Sequence, residues 1–267
     1  MPGNPDPLYV RARKVLLDAV ETLRGQADAI VLVGAQAVYM HTGDTELAVA
    51  EYTTDADFSI FPDDLADSPL IEDLLFKGGF RQGSNPGSWI SSDDIVVDLM
   101  VPEALAGAGS RSADLRPHLK GTARRAKGLE GSLVDRDKTE ITALDPSDKR
   151  IAKIWVAGPA ALVVAKTHKI YERVGNPNRI SDKDALDIYR LLQSVATRVI
   201  TDRLKILRDS SMAGEVSTEA ITVLPQLFGS LVSPGTLMAV RAAGNPEISD
   251  TVAQSLVTLV NDLLMSL

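Results

Sequence analysis

The stretch Ala29-Ile30-Val31-Leu32-Val33-Gly34-Ala35-Gln36, followed downstream by Thr53-Thr54-Asp55-Ala56-Asp57, decides the reading of this chain. Residues 29–33 are a short, unbroken apolar run rich in β-branched side chains. Such a run predicts a buried strand. Gly34 ends it, and Ala35 to Met40 predicts the start of a helix packed on that strand. A glycine at a strand-to-helix turn lets backbone approach a phosphate, and the helix N-terminus offers unpaired N–H groups. The same glycine equally serves a tight turn with no ligand. Residues 41–54 read as a loop or insertion. Ala56 to Phe61 predicts a second strand, closed by Pro62, and Asp94 to Val101 a third, stopped by Pro102.

Outward from this centre, Leu8 to Leu23 carries Val15, Leu16, Ala19 and Val20 at helical spacing. Ser68-Pro69 predicts a helix start, with a capping residue, proline at the first helical position and Glu72 and Asp73 in the first turn. Gly78-Gly79 would end that helix. Phe80-Arg81 and Ser88-Trp89-Ile90 read as strand pieces around a Gly83–Gly87 turn. Ala104 to Lys127, rich in Gly, Ser and Arg, is expected to be mobile. Short strands are expected at 132–135 and 139–144, and a longer one over Ile151 to Ala157. Beyond Gly158-Pro159 only helical patterns follow: 159–174, 182–196, 198–209, 216–229, 234–242 and 247–266. The expected fold is α+β: a mixed β-sheet with flanking helices over 1–157, followed by an all-helical C-terminal domain over 158–267.

Composition narrows the chemistry. Of 267 residues 45% are hydrophobic and 24% charged, the make-up of an ordered globular chain. Aromatic residues are only 4%, so Leu, Val, Ile and Ala must fill the core. There is no cysteine, so any metal must bind oxygen or imidazole. The opening MPGNPDPLYV lacks a charged start followed by an apolar run, and no apolar stretch reaches the roughly 18 residues of a membrane span. A soluble cytoplasmic protein with no membrane partner is the expectation. A net charge of −8 gives no general attraction to nucleic acid, so an RNA partner would need a local basic patch. Arg111, Arg116, Lys120, Arg124, Arg125 and Lys127 supply one, with Arg124, Arg125 and Lys127 the candidate RNA contacts. A solvated loop fits the same residues equally well, and no aromatic side chains interleave for base stacking.

Asp55 and Asp57 sit at i and i+2 of a strand and so share a face. Two adjacent carboxylates repel, a cost that a divalent cation between them relieves. Asp98 lies within another apolar strand, where a charge is seldom buried without a partner. If the two strands are neighbours, three carboxylates converge into an oxygen site suited to Mg²⁺ or Mn²⁺ and substrate phosphates. Taken singly, each of these residues reads as a solvated strand edge. His41, His118 and His168 show no metal-ligand spacing and read as structural or surface residues.

The order strand-Gly34-Ala35-helix, then Thr54-Asp55-Ala56-Asp57, then Val97-Asp98-Leu99, resembles the nucleotidyltransferase fold shared with DNA polymerase β. Within that superfamily it is similar to the AbiEii/AbiGii toxin family, which includes the mycobacterial MenT toxins. Val163-Val164-Ala165-Lys166-Thr167-His168-Lys169, followed by Lys183-Asp184-Ala185-Leu186-Asp187, matches a lysine helix and a Lys-Asp-x-x-Asp helix typical of that family. The resemblance spans about residues 28–195. It implies that Asp55 and Asp57 hold metal and that Asp98 completes the site and deprotonates the acceptor hydroxyl. It implies that Lys166 contacts the triphosphate, with Asp184 or Asp187 supporting that lysine or the nucleotide. Gly34, Ala35, Gln36 and Thr54 would complete the nucleotide contacts. The chain departs from the pattern at Ala35, where many members carry Ser, in the long gap from Gly34 to Asp55, and at Tyr52 or Thr53, where some carry Arg. Without the resemblance, Lys166 reads as a solvated helix face, and Asp184 and Asp187 as partners of Lys183, Arg190 or Arg179.

The resemblance implies transfer of a nucleoside monophosphate from an NTP to RNA, with a tRNA 3′ end as acceptor and a cognate antitoxin as partner. Two alternatives stay open: transfer to a small molecule such as an aminoglycoside or to a protein side chain, and a catalytically silent nucleotide- or partner-binding protein, which Ala35 keeps in play. Leu- and Val-rich helices from Val223 to Leu267 either complete the helical core or present an apolar face to a partner.

Overall fold

The computed structural model describes residues 6–43, 55–175 and 182–267. The chain is a mixed α/β protein with a helical C-terminal region, divided into two compact units. The first holds described residues 6–36, 55–126 and 136–156, the second 37–43, 127–135, 157–175 and 182–267.

The first unit is built on one mixed sheet of eight strands. They are β1 (Ile30–Val33), β2 (Asp55–Ile60), β3 (Arg81–Gln82), β4 (Ser88–Ile90), β5 (Val96–Pro102), β6 (Arg124–Ala126), β7 (Arg136–Thr142) and β8 (Ile151–Ala157). Their order is β3-β4-β5-β2-β1-β8-β7, with β6 paired to β5 off that path. β2 runs parallel to β5 and antiparallel to β1, and β1 runs parallel to β8. β4 pairs with the first half of β5 and β6 with its second half. Helix α1 (Pro7–Thr22) starts at Asp6, whose side chain accepts the N–H of Leu8, and buries Ala12, Val15, Leu16 and Ala19. Helix α2 (Gly34–Thr42) follows β1 directly, as the glycine predicts. Helix α3 (Ile71–Lys77) begins later than Ser68-Pro69 suggests: its N-cap is Leu70, with no side-chain cap bond.

Two expectations fail in the stretch between β5 and β8. Residues 104–127 carry β6 and bury Ala113, Leu115, His118, Thr122 and Ala123, so this Gly- and Arg-rich stretch is folded onto the sheet. Its apolar residues are few, but they are spaced among turns rather than along a helix or strand, which hides them from periodicity. Residues 131–134 form the short helix α4 (Gly131–Val134) instead of a strand.

The second unit contains α4 and the helices α5 (Pro159–Tyr171), α6 (Asp182–Ser194), α7 (Thr197–Asp209), α8 (Gly214–Phe228), α9 (Pro234–Ala243) and α10 (Ser249–Met265). α5 packs on α6, α7 and α8, and α6 on α9. Asp135 organises the start of α5: its Oδ2 accepts the N–H of Ala161 at 2.9 Å, its carbonyl accepts the N–H of Gly158 at 2.7 Å, and Arg203 pairs with Oδ1. A Cβ at Gly158 would collide with that carboxylate. No helix among the described residues is long and apolar enough to cross a membrane.

Candidate functional site

Strand alternation places the carboxylates. On β2 and β5 the half-buried positions include Asp55, Asp57, Val96 and Asp98. Ala56, Phe58, Val97 and Leu99 on the opposite face are fully buried. The parallel register sets Asp57 beside Asp98 and Asp55 beside Val96. Neighbouring strands lie about 4.8 Å apart, so the two register partners are side by side and Asp55 is one pleat along. The same row continues to Ser88 on β4, opposite Asp98, and to Val33 on β1, opposite Asp57.

Gly34 closes this row. Its φ is +71°, the left-handed region that favours glycine, and a Cβ there would overlap the Asp57 carboxylate. The Asp57 side chain therefore lies directly against the backbone of the strand-to-helix turn. Ala35 is half-buried beside it, whereas Gln36 turns inward. The Gln36 carboxamide donates to the carbonyls of Asp55 at 2.9 Å and Ala12 at 3.3 Å, and accepts from Arg13 Nε at 3.2 Å. Arg13 donates in turn to Tyr9 Oη at 2.7 Å and to the Thr142 carbonyl at 3.1 Å. Gln36 thus fixes where β2 begins, two residues ahead of Asp57. Thr54 lies outside the described residues.

The basic candidates have protein partners. Arg124, on β6, reaches Asp98 with 3.5 Å between Nη2 and Oδ2, a pairing that no spacing in the sequence signals because 26 residues and a strand crossing separate them. Arg125 donates to the carbonyls of Gly107 at 3.1 Å, Glu103 at 3.4 Å and Gly109, tying down the turn that leads into the basic stretch. Lys127, in the second unit, pairs with Glu219 at 2.6 Å.

In the second unit Lys166 is only 4% exposed, so it does not lie on the solvated face that its helix pattern alone would allow. Its Nζ meets Asp184 Oδ1 at 2.9 Å and Asp187 Oδ2 at 2.7 Å. Asp184 also meets Lys169 at 3.0 Å and Arg173 at 3.6 Å, and Asp187 meets Arg190 at 3.1 Å. Arg190 lies over the Tyr39 ring. Burial alone would push Lys166 down; Asp187 and Asp184 overcome it and hold the ammonium well above the usual lysine range. Burial likewise opposes ionisation of Asp184, but Lys166 and Lys169 hold its carboxyl well below the usual range. Burial, reinforced by the charge on Asp187, pushes the Tyr39 phenol up to about 12. Arg179, one of the partners the helix spacing suggests, lies outside the described residues. His41 and His168 are structural as expected, bonded to the carbonyls of Ala157 and Val216.

Among the described residues no group of three His, Cys, Asp or Glu side chains is disposed to hold one metal ion. Mg²⁺ commonly takes one or two carboxylates and completes its shell with water and substrate phosphates. Asp57 and Asp98, side by side on hard-oxygen donors with the Gly34 backbone against one of them, fit that mode. No protein-family model matches the chain, and no curated protein matches it.

Proposed function

We propose that this chain is a divalent-metal-dependent nucleotidyltransferase that moves a nucleoside monophosphate from an NTP to a hydroxyl of RNA. The observation that carries the reading is the row Asp98-Asp57-Gly34: two register-paired carboxylates on parallel strands, one of them laid against the glycine that opens a helix. Asp57 and Asp98, with Asp55 one pleat away, would hold the ion. When bound, it neutralises the carboxylates and draws the triphosphate oxygens to them. The backbone of Gly34 and Ala35, at the start of α2, orients phosphate through N–H groups. The acceptor hydroxyl oxygen bonds the α-phosphorus, pyrophosphate departs, and the hydroxyl proton passes to the Asp98 carboxylate, with Arg124 beside it as a fixed cation. Gln36 positions Asp55 through its backbone. Lys166 is engaged by Asp184 and Asp187, so within this reading it braces the second unit; a triphosphate contact by Lys166 rests on the family resemblance alone. A tRNA 3′ end as acceptor, and a toxin paired with an antitoxin, also rest on that resemblance.

The test is incubation of purified protein with Mg²⁺, each labelled NTP in turn and total tRNA, beside Asp57→Asn. Label on tRNA is expected with the wild type, and at least about 100-fold less with the variant, the scale of losing a charge that acts on the transition state. Undiminished label with Asp57→Asn sinks the carboxylate site. The Asp98–Arg124 pair favours one second reading, a silent nucleotide-binding protein, because it occupies an oxygen that catalysis would use. In that case Mg²⁺ and NTP together raise the thermal midpoint, by binding the native state, with no label transferred.

A further inference from the structure

The first unit contains a cleft whose lining includes none of the carboxylate row. The cleft, of about 610 Å³, is lined by residues 108–116 together with Pro86, His118 and Lys120. Three of its side chains are cationic, in a protein whose net charge is −8. Arg116 is forked onto Asp114, with 3.0 and 2.9 Å bonds. Arg111 and Lys120 are exposed and form no ion pair among the described residues. Ser110 and Ser112 add hydroxyls, and Ser112 Oγ accepts the N–H of Gly121 at 2.9 Å.

His118 supplies the independent observation. Its side chain is 1% exposed, and Nδ1 accepts the N–H of Ile71 at 3.1 Å, which leaves the ring proton on Nε2. Nε2 is buried and has no hydrogen-bond partner. A buried, unsatisfied donor is costly and is seldom retained without a partner. Glu72, which accepts the Leu119 N–H and the Thr122 hydroxyl, approaches the other ring nitrogen, with Oε2 3.8 Å from Nδ1, and makes no bond to Nε2.

We infer that this cleft binds a phosphate group, with Arg111 and Lys120 supplying charge and His118 Nε2–H a buried directional donor. Charge-assisted donors favour an anion over a neutral ligand, and cations, an N–H and hydroxyls offered together match the three acceptor oxygens of a phosphate group, where a carboxylate presents two. The inference stands apart from the nucleotidyl-transfer reading, because it requires binding only.

The experiment follows the imidazole nitrogens of the full-length protein by NMR. With three histidines in the chain, His118→Asn, which keeps an acceptor for Ile71, assigns the His118 signals. Inorganic phosphate and a single-stranded RNA twelve-mer are titrated separately. A saturable shift of the His118 Nε2 signal is expected with at least one of them. Arg111→Ser combined with Lys120→Ser, both exposed and safe for folding, should weaken that ligand at least tenfold. If RNA is the ligand, the double variant should reduce the magnitude of the slope of log affinity against log salt by about 1.4, the value for two phosphate contacts on a single strand. A shift with phosphate but not RNA assigns the cleft to a small phosphorylated ligand; a shift with RNA assigns it to a nucleic-acid backbone. No shift with either, or an affinity unchanged in the double variant, overturns the inference.

Discussion

The sheet and the helical unit each gather aspartates, and they treat them in opposite ways. Asp184 and Asp187 are 4% and 3% exposed at the side chain and share four cations: Lys166, Lys169, Arg173 and Arg190. Asp55, Asp57 and Asp98 stand on a half-buried sheet face, and the Asp98 side chain keeps 25% of its surface exposed. The first arrangement fits folding, because buried charges are tolerated only when paired and hydrogen-bonded. In the second, Asp57 and Asp98 are register neighbours on half-buried positions and Arg124 pairs with Asp98, and the remaining crowding of like charge suits a ligand that brings positive charge with it. Identical residue types thus separate into a structural and a candidate functional class by burial.

Removing Lys166 gives the largest effect. Lys166→Met leaves two buried carboxylates facing one another and should destabilise the protein by about 3–5 kcal/mol, read from chemical denaturation. Adding Asp187→Asn should recover part of that loss; a loss below about 1 kcal/mol would erase the contrast between the two clusters. The same cluster sets an acid limb. Asp184 has a lowered folded value, so its contribution is whole above the ordinary aspartate value of 3.8 and is lost as pH falls through the lowered one. Lys166, with a raised value, contributes fully below 10.5 and loses that contribution only as pH rises through its folded value. Stability of the wild type should therefore fall below about pH 4, and Asp184→Asn should flatten that fall.

Gly34→Ala is next in size. The positive φ alone costs an alanine about 1–2 kcal/mol, and the collision with Asp57 adds to it. Combining it with Asp57→Ala should relieve the collision while leaving the backbone strain, so the two losses should not add. Strict additivity in denaturation would show that Asp57 does not lie against the turn.

What was legible follows from the range of each interaction. The strands around Gly34, Asp57 and Asp98 could be read because apolar runs and their stops are local patterns, and the helices after Pro159 because their period is. Whether β2 and β5 are neighbours was open in the sequence; the register of Asp57 with Asp98 answers it. Partner choice was not legible. Arg124 meets Asp98, Gln36 grips the Asp55 carbonyl, and Asp135 caps α5 from 26 residues ahead of Ala161. Each depends on strand pairing or chain crossing, to which spacing is blind. The Lys166 burial was hidden for a related reason: a lysine on an amphipathic helix looks solvated until the carboxylates of α6 are packed against it.

The smallest expected effect tests the comparison most directly. Asp57→Asn keeps the shape against Gly34 and removes one of two adjacent negative charges. If the sheet row is arranged for a ligand rather than for folding, the substitution should leave stability within about 0.5 kcal/mol of wild type or raise it slightly. A structural aspartate behaves otherwise, because its partners are left buried and unpaired when its charge is removed. Asp184→Asn in the same denaturation series supplies that reference. A loss of several kcal/mol on Asp57→Asn would place the sheet carboxylates in the same class as the helical ones. Near-neutral stability with transfer abolished would mean that the two clusters divide the work as their exposure suggests.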